Sequence, residues 1–294
     1  MSDVGNICEE AIGTAASSHA AGVGFIEACR HYVAQRGLPE NHLSAFYCRL
    51  SEALMHRGRS EDAVACARLA FASSPEKEEI ANTCAWVFSN CGQHADAAAT
   101  YESLLKIRPR WVEGHRHASG SFAAAGQIER AILHAKAASD GDPNSFEFTF
   151  HAGCLLESTT QYDDALVYFG RALAIDPGNA AVLRRMSGIK FALEQCDDAV
   201  NLALRALSLT PDDPLNAQHA GELLLRVGRF DEAACIMLAA VDAHPNDSVG
   251  LRLLSAAQML CGRTEDALMQ SIALLPSRLS MQNTICIGRT CCIA

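Results

Sequence analysis

Between Phe146 and Asn179 the apolar residues recur at helical spacing in two runs separated by a short polar break. The first run predicts a helix from about Glu147 to Glu157 and the second a helix from about Tyr162 to Ile175. Asp176-Pro177-Gly178 closes the pair, because proline has no N–H to donate and restricts the residue before it. Neither helix is long enough to hold alone. Gly153 and Ala165 leave little side chain where two antiparallel helices cross, so the backbones approach and Leu156, Phe169 and Leu173 fill the flanks.

The same pattern recurs every 34 residues. Alanine stands at 63, 97, 131, 165, 199, 233 and 267, and proline at 75, 109, 143, 177, 211 and 245. A third column, Ser51, Ala85, Ser119, Gly153, Ser187, Gly221 and Ser255, is small in every copy, as a close helix crossing demands. A fourth, Gly58, Gly92, Gly126, Gly228 and Gly262, marks the turn between the two helices, where a positive φ is expected. Thr160 and Glu194 interrupt that column without interrupting the period.

A 34-residue helix-turn-helix unit with these small, glycine and proline columns resembles the tetratricopeptide repeat, over about residues 44–275. The resemblance implies an all-α, right-handed α-solenoid. The family's first aromatic column is replaced here by Tyr47, Ala81, His115, Thr149, Leu183, Ala217 and Leu251, which predicts looser packing of the first helices. Residues 1–43 read as a degenerate N-terminal capping repeat, with Gly24-Phe25-Ile26-Glu27-Ala28 echoing a turn and a second-helix start and Pro39 near the expected stop. Uninterrupted repeats run from 44 to 247, leaving no inserted loop to house a catalytic apparatus. A seventh is truncated at Pro276, and 276–294 form an irregular tail. Leu268, Ile272 and Leu275 are expected to need a cover from the tail, a second copy or a further domain. Cys291-Cys292-Ile293-Ala294 has the form of a prenylation box but lacks a preceding polybasic segment.

Composition narrows the function. Of the 34 acidic residues behind the net charge of -10, twelve fall in first turns of second helices, where they complement the helix dipole. No basic stripe with interleaved aromatics is present, which argues against nucleic acid as a partner. The 13 cysteines are scattered, odd in number and without Cys-x-x-Cys spacing, so a reducing, cytoplasmic setting is expected. No signal peptide or membrane span is evident. Glycine-loop, nucleophile-elbow and His-Glu-x-x-His patterns are missing, so no catalytic residue and no cofactor is assigned. His115 and His117 diverge on one helix, and His117, His151 and His219 stand on separate repeats, so no metal is assigned either.

In the tetratricopeptide family the first helices line a concave groove. The resemblance implies that Arg49, Asn82, Trp86, Arg116, His117, Phe150, His151, Arg184, Arg185, His219, Arg226 and Arg252 are the candidate peptide-binding residues here. The first half mixes Glu79, Glu113 and Glu147 with Arg116, His117 and His151, whereas the second half sets Arg184, Arg185, Arg226 and Arg252 against Glu222. Clustered arginines hold carboxylates, so the expected partner is a protein or peptide with acidic groups lying toward the later repeats. Neither the family's chaperone-tail clamp nor its asparagine ladder is present. The expected function is a non-enzymatic interaction scaffold. The alternatives are the targeting or substrate-selecting module of an enzyme such as a bacterial glycosyltransferase, and a homo-oligomer joined through the C-terminal repeat.

Overall fold

A computed structural model of the chain describes residues 10–13, 24–37 and 39–262, and all of its regular structure is α-helical. The described residues fall into two compact units divided between Gln161 and Tyr162. The first contains α1 (Phe25–Arg36), α2 (Glu40–His56), α3 (Ser60–Ser73), α4 (Glu78–Asn90), α5 (His94–Ile107), α6 (Val112–Ala124), α7 (Ile128–Gly141) and α8 (Phe146–Ser158). The second contains α9 (Tyr162–Ile175), α10 (Ala180–Ala192), α11 (Cys196–Leu209), α12 (Pro214–Arg226), α13 (Phe230–Ala243) and α14 (Ser248–Leu260). Each unit is a stretch of α-solenoid: within each, from α2 on, consecutive helices pack, α1 touches α3, and first helices of neighbouring repeats also touch, as α2 does α4 and α12 does α14. Leu268, Ile272, Leu275, the tail from Pro276 and the terminal Cys291-Cys292-Ile293-Ala294 lie outside the described residues.

The small columns sit at the helix crossings. Ala63, Ala97, Ala131, Ala165, Ala199 and Ala233 are wholly buried. Facing them, Ser51, Ala85, Ser119 and Ser187 are also wholly buried. A Cβ added at Gly221 would come within 2.7 Å of the Met237 sulfur. The replaced aromatic column is buried at Tyr47, Ala81, Thr149, Leu183, Ala217 and Leu251 and half-buried at His115.

Two turns alternate along the chain. After each first helix the left-handed residue sits between two backbone bonds, as where Gly92 N–H reaches Ser89 O at 3.1 Å and Gln93 N–H reaches Phe88 O at 2.7 Å. After each second helix the column proline occupies the second position of a turn whose ends are bonded, for example Lys77 N–H to Ser74 O at 3.3 Å and Asp213 N–H to Thr210 O at 3.1 Å. From the fourth repeat on, the side chains of Ser145, Asn179, Asp213 and Asp247 cap the helix that follows, whereas Lys77 and Trp111 make no such cap.

The N-terminal segment departs from the lattice. α1 starts at Phe25 as expected, but it ends at Gly37 in a left-handed cap (φ 61) and Pro39 caps α2 instead of closing α1. With no proline turn at the repeat boundary, α2 extends to 17 residues, where the other first helices have 13. Tyr32 and Arg36 both donate to Glu10 and tie the helical residues 10–13 to α1.

The two interruptions of the glycine column keep the glycine conformation: Thr160 has φ 59 and Glu194 φ 60, against 73 to 81 for Gly58, Gly92, Gly126, Gly228 and Gly262. A Cβ in this region costs about 1–2 kcal/mol, and a β-branched one more. Glycine's larger unfolded-state entropy offsets part of the gain. Thr160→Gly is therefore expected to stabilise the fold by about 0.5–1 kcal/mol and Glu194→Gly by less, read as a rise in the urea midpoint. An unchanged or lower midpoint in Thr160→Gly would contradict the assignment of strain.

Candidate functional site

Each unit carries a cleft lined mainly by first-helix residues, and the two clefts differ in chemistry. In the first unit a cleft of about 580 Å³ is lined by Asn82, Trp86, Ser89, Tyr101, Arg116, His117, Gly120, Ser121 and Ala124. Trp86 projects from α4, is 43% exposed, and has the His56 ring 5.9 Å away. Asn82, one helical turn earlier, has its Oδ1 buried without a hydrogen-bond partner among the described residues. Arg116 on α6 is held from three sides: its Nε donates to Glu113 at 2.7 Å, Nη2 donates to His117 Nε2 at 3.0 Å, and Nη1 lies 3.9 Å from Glu147.

Because a guanidinium only donates, His117 Nε2 must be the accepting nitrogen. Burial, and then the neighbouring Arg116 charge, lower its pKa. Its ring stacks on Tyr101 at 5.2 Å, and burial pushes the Tyr101 hydroxyl up to about 12.

His151 and His219 are bridges between repeats. Ser119 Oγ donates to Ala131 O at 2.9 Å, and the same oxygen lies 3.1 Å from His151 Nε2. Ser187 Oγ donates to Ala199 O at 2.7 Å and lies 3.0 Å from His219 Nε2. With the serine proton committed to the carbonyl, each histidine must be the donor through Nε2–H. His117 has no such bridge because the residue at the matching position is Ala85. Burial holds the pKa of His151 and His219 below the usual value, and Arg184 pushes His219 further the same way.

Sequence reading missed a second histidine pair. His134, on α7 and 7% exposed, has its Nδ1 2.9 Å from His115 Nδ1, while His115 Nε2 lies 3.1 Å from Pro109 O. The carbonyl can only accept, so His115 carries its proton on Nε2 and His134 donates from Nδ1. Phe122 stacks on the His134 ring at 5.4 Å. Burial and then His115 lower the His134 pKa. Nothing in the 19-residue separation of the two histidines signals this pairing.

In the second unit a cleft of about 470 Å³ is lined by Leu215, Gln218, His219, Glu222, Val249, Arg252 and Leu253. Glu222 accepts from Arg226 at 2.7 Å, and the Arg226 guanidinium also lies over Phe191 at 5.4 Å. Arg252 is exposed and has no ion-pair partner among the described residues. Arg184 is engaged within the fold: it donates to Asn216 Oδ1 at 2.8 Å and stands 3.8 Å from Asp213.

The remaining candidates lie apart from both clefts. Exposed Arg49 stands 3.7 Å from Glu52, Phe150 stacks on Phe146 at 5.5 Å, and Arg185 is exposed on α10. Of the twelve residues expected to bind peptide, the first cleft gathers Asn82, Trp86, Arg116 and His117, and the second His219 and Arg252. Among the described residues no three His, Cys, Asp or Glu are grouped to hold a metal ion, and no helix is long and apolar enough to cross a membrane.

Two outcomes follow from the histidines. Ser187→Ala leaves the His219 N–H without its acceptor and is expected to cost about 1–2 kcal/mol in urea unfolding; no loss would show the bridge to be incidental. Four histidines, 117, 134, 151 and 219, bind protons less readily folded than unfolded. Their stabilisation is full above the unfolded value near 6.5 and is lost as pH falls through the depressed folded values, so the urea midpoint should drop between about pH 7.5 and pH 5.5. A flat or rising midpoint would contradict this.

Residues 118–180 and 158–220 each match a family model described as tetratricopeptide repeat. No curated protein matches the sequence. Among solved structures, the chain is similar to MamA (20% identity, 55% of this chain and 94% of that one, TM-score 0.50). It is also similar to residues 41 to the end of MamA from Desulfovibrio magneticus RS-1 (17% identity, 59% and 99% coverage, TM-score 0.53). A third likeness is to YrrB, described as a TPR protein with an unusual peptide-binding site (16% identity, 63% and 95% coverage, TM-score 0.51). At these identities the likeness is one of fold. The matched models, the sequence period and the alternating turns agree that residues 118–220 are tetratricopeptide repeats.

Proposed function

We propose that the protein is a non-catalytic interaction scaffold whose first-helix faces capture a segment of a partner protein, and that the second unit's cleft takes an acidic group of that segment. The observation that carries this reading is Arg252. It borders a cleft floored by Leu215, Val249 and Leu253, while the nearby Glu222 is already matched by Arg226. The cleft therefore offers a positive charge that is unmatched among the described residues, beside apolar surface, with Leu215 56% exposed. An aspartate or glutamate next to an aliphatic side chain satisfies both features, because a guanidinium binds a carboxylate with two parallel donors.

Arg184 is a poorer candidate than its sequence column suggests, since Asn216 and Asp213 already occupy it. The tetratricopeptide-repeat match over 118–220 and the likeness in fold to YrrB, described as a TPR protein with an unusual peptide-binding site, support the same reading. The uninterrupted repeats from 44 to 247, with no inserted loop, support the non-catalytic part of it.

The test is selection of peptides from a phage-displayed library of random dodecapeptides on the full chain, followed by affinity measurement on synthetic versions. Selected peptides should carry an acidic residue beside an aliphatic one. Arg252→Glu should weaken them about tenfold or more, and added salt should weaken the wild-type complex. Selection without acidic enrichment, or affinities unchanged in Arg252→Glu, would overturn the assignment of this cleft.

A further inference from the structure

The two clefts differ in charge, and the first has features that the acidic-segment reading leaves unexplained. Gly120 sits inside α6, where glycine costs about 1 kcal/mol relative to alanine. Some other helical glycines of this protein have a packing reason. A Cβ at Gly114 would meet the Trp111 ring at 2.0 Å, and one at Gly221 would meet Met237. A Cβ at Gly120 meets nothing within 4 Å, as at Gly170 and Gly188, but of these three it is Gly120 that lines the cleft beside Trp86. The missing side chain is thus not required by any neighbour in the chain. It opens the floor of the first cleft, where Ala124 one turn later is also small and exposed.

Trp86 stands at the same repeat position as Gly120, one repeat of 34 residues earlier, so the indole forms a wall beside this bare stretch of backbone. Asn82, Ser89 and Ser121 supply polar groups among the lining. Arg116 is the one arginine or lysine lining the cleft, and Glu113 and Glu147 balance it from outside. His117 accepts from Arg116, and a histidine that does so is neutral. With Glu113 paired to Arg116 and Glu147 close by, no unmatched positive charge is left there for an acidic group.

We infer that the first unit's cleft is a separate subsite for an uncharged aromatic side chain of a bound peptide, the ring lying between the Trp86 indole and the exposed backbone at Gly120. A flat ring suits this geometry because it stacks on both an indole and a bare peptide plane, and buried aromatic anchors of this kind dominate binding energies. The volume of about 580 Å³ accommodates such a ring together with the adjoining peptide backbone. This inference rests on the interaction-scaffold reading and adds a second, chemically distinct requirement to it.

The same full-chain peptide selection tests it with different variants. Peptides selected by the wild type should share an aromatic residue at one aligned position. Gly120→Leu, Trp86→Ala and alanine at that peptide position should each weaken binding about tenfold. Gly120→Leu fills open space on a helix and replaces a poor helix former, so its Tm should equal or exceed that of the wild type while binding is lost. The subsite is overturned if no aromatic preference emerges, or if Gly120→Leu and Trp86→Ala bind the selected peptides as tightly as wild type. Peptides that depend on Arg252 but ignore both first-unit variants would leave the scaffold standing and remove only the aromatic subsite. A chain that selects no peptides would remove both.

Discussion

Close approach of helix backbones at the two small columns is the contact on which the rest of the protein depends. Helices of 13 and 14 residues are marginal in water, and each persists because an alanine on one helix lets the small residue of its partner reach the backbone itself. At Ser119 and Ser187 the approach is close enough for the hydroxyl to bond a carbonyl of the facing helix, at Ala131 and Ala199. The same hydroxyls accept from His151 and His219 of the following repeat. One residue thereby joins three helices, so intra-repeat packing and inter-repeat packing are formed together. Larger side chains at these positions would separate the helices and break both links.

The connections are as constrained as the crossings. A left-handed residue and two backbone bonds reverse the chain after each first helix, and a proline turn reverses it after each second. That Glu194 adopts the glycine conformation shows that packing of α10 on α11 overrides local preference, and Thr160 keeps the same conformation. Acids in the first turns of the second helices serve this architecture more than any partner. Asp96 also pairs with Arg68 of the preceding second helix at 2.6 Å, and Asp62 with Arg59 at 2.6 Å. Such exposed pairs contribute little individually, but they show where much of the negative charge is used.

The chemistry of the clefts comes from local matching of charge. In the first unit, Arg116 is surrounded by Glu113, His117 and Glu147, and what remains for a ligand is aromatic surface, hydroxyls and bare backbone. In the second, Arg226 consumes Glu222 and leaves Arg252 beside aliphatic surface. The first helices of the two units therefore present different faces, because each ion pair removes two groups from the surface available for binding.

The repeat length, the helix pairs, the crossing columns and both kinds of turn were legible in the sequence alone. Each rests on residue types at fixed spacing: alanine and serine where backbones meet, glycine where φ is positive, proline where an N–H must be missing. Departures such as the long α2 arose where that spacing lapsed, around Pro39. What tertiary structure decided is which polar side chains remain available. Arg184, read as a ligand group, is held by Asn216 at a separation of 32 residues, and His151 and His219 by serines at the same separation. The His115–His134 pair, the unmatched acceptor of Asn82 and the empty space over Gly120 were equally invisible beforehand. Column position tells which face a residue shares, whereas its partner depends on distances between neighbouring repeats, and only the packed helices set those distances.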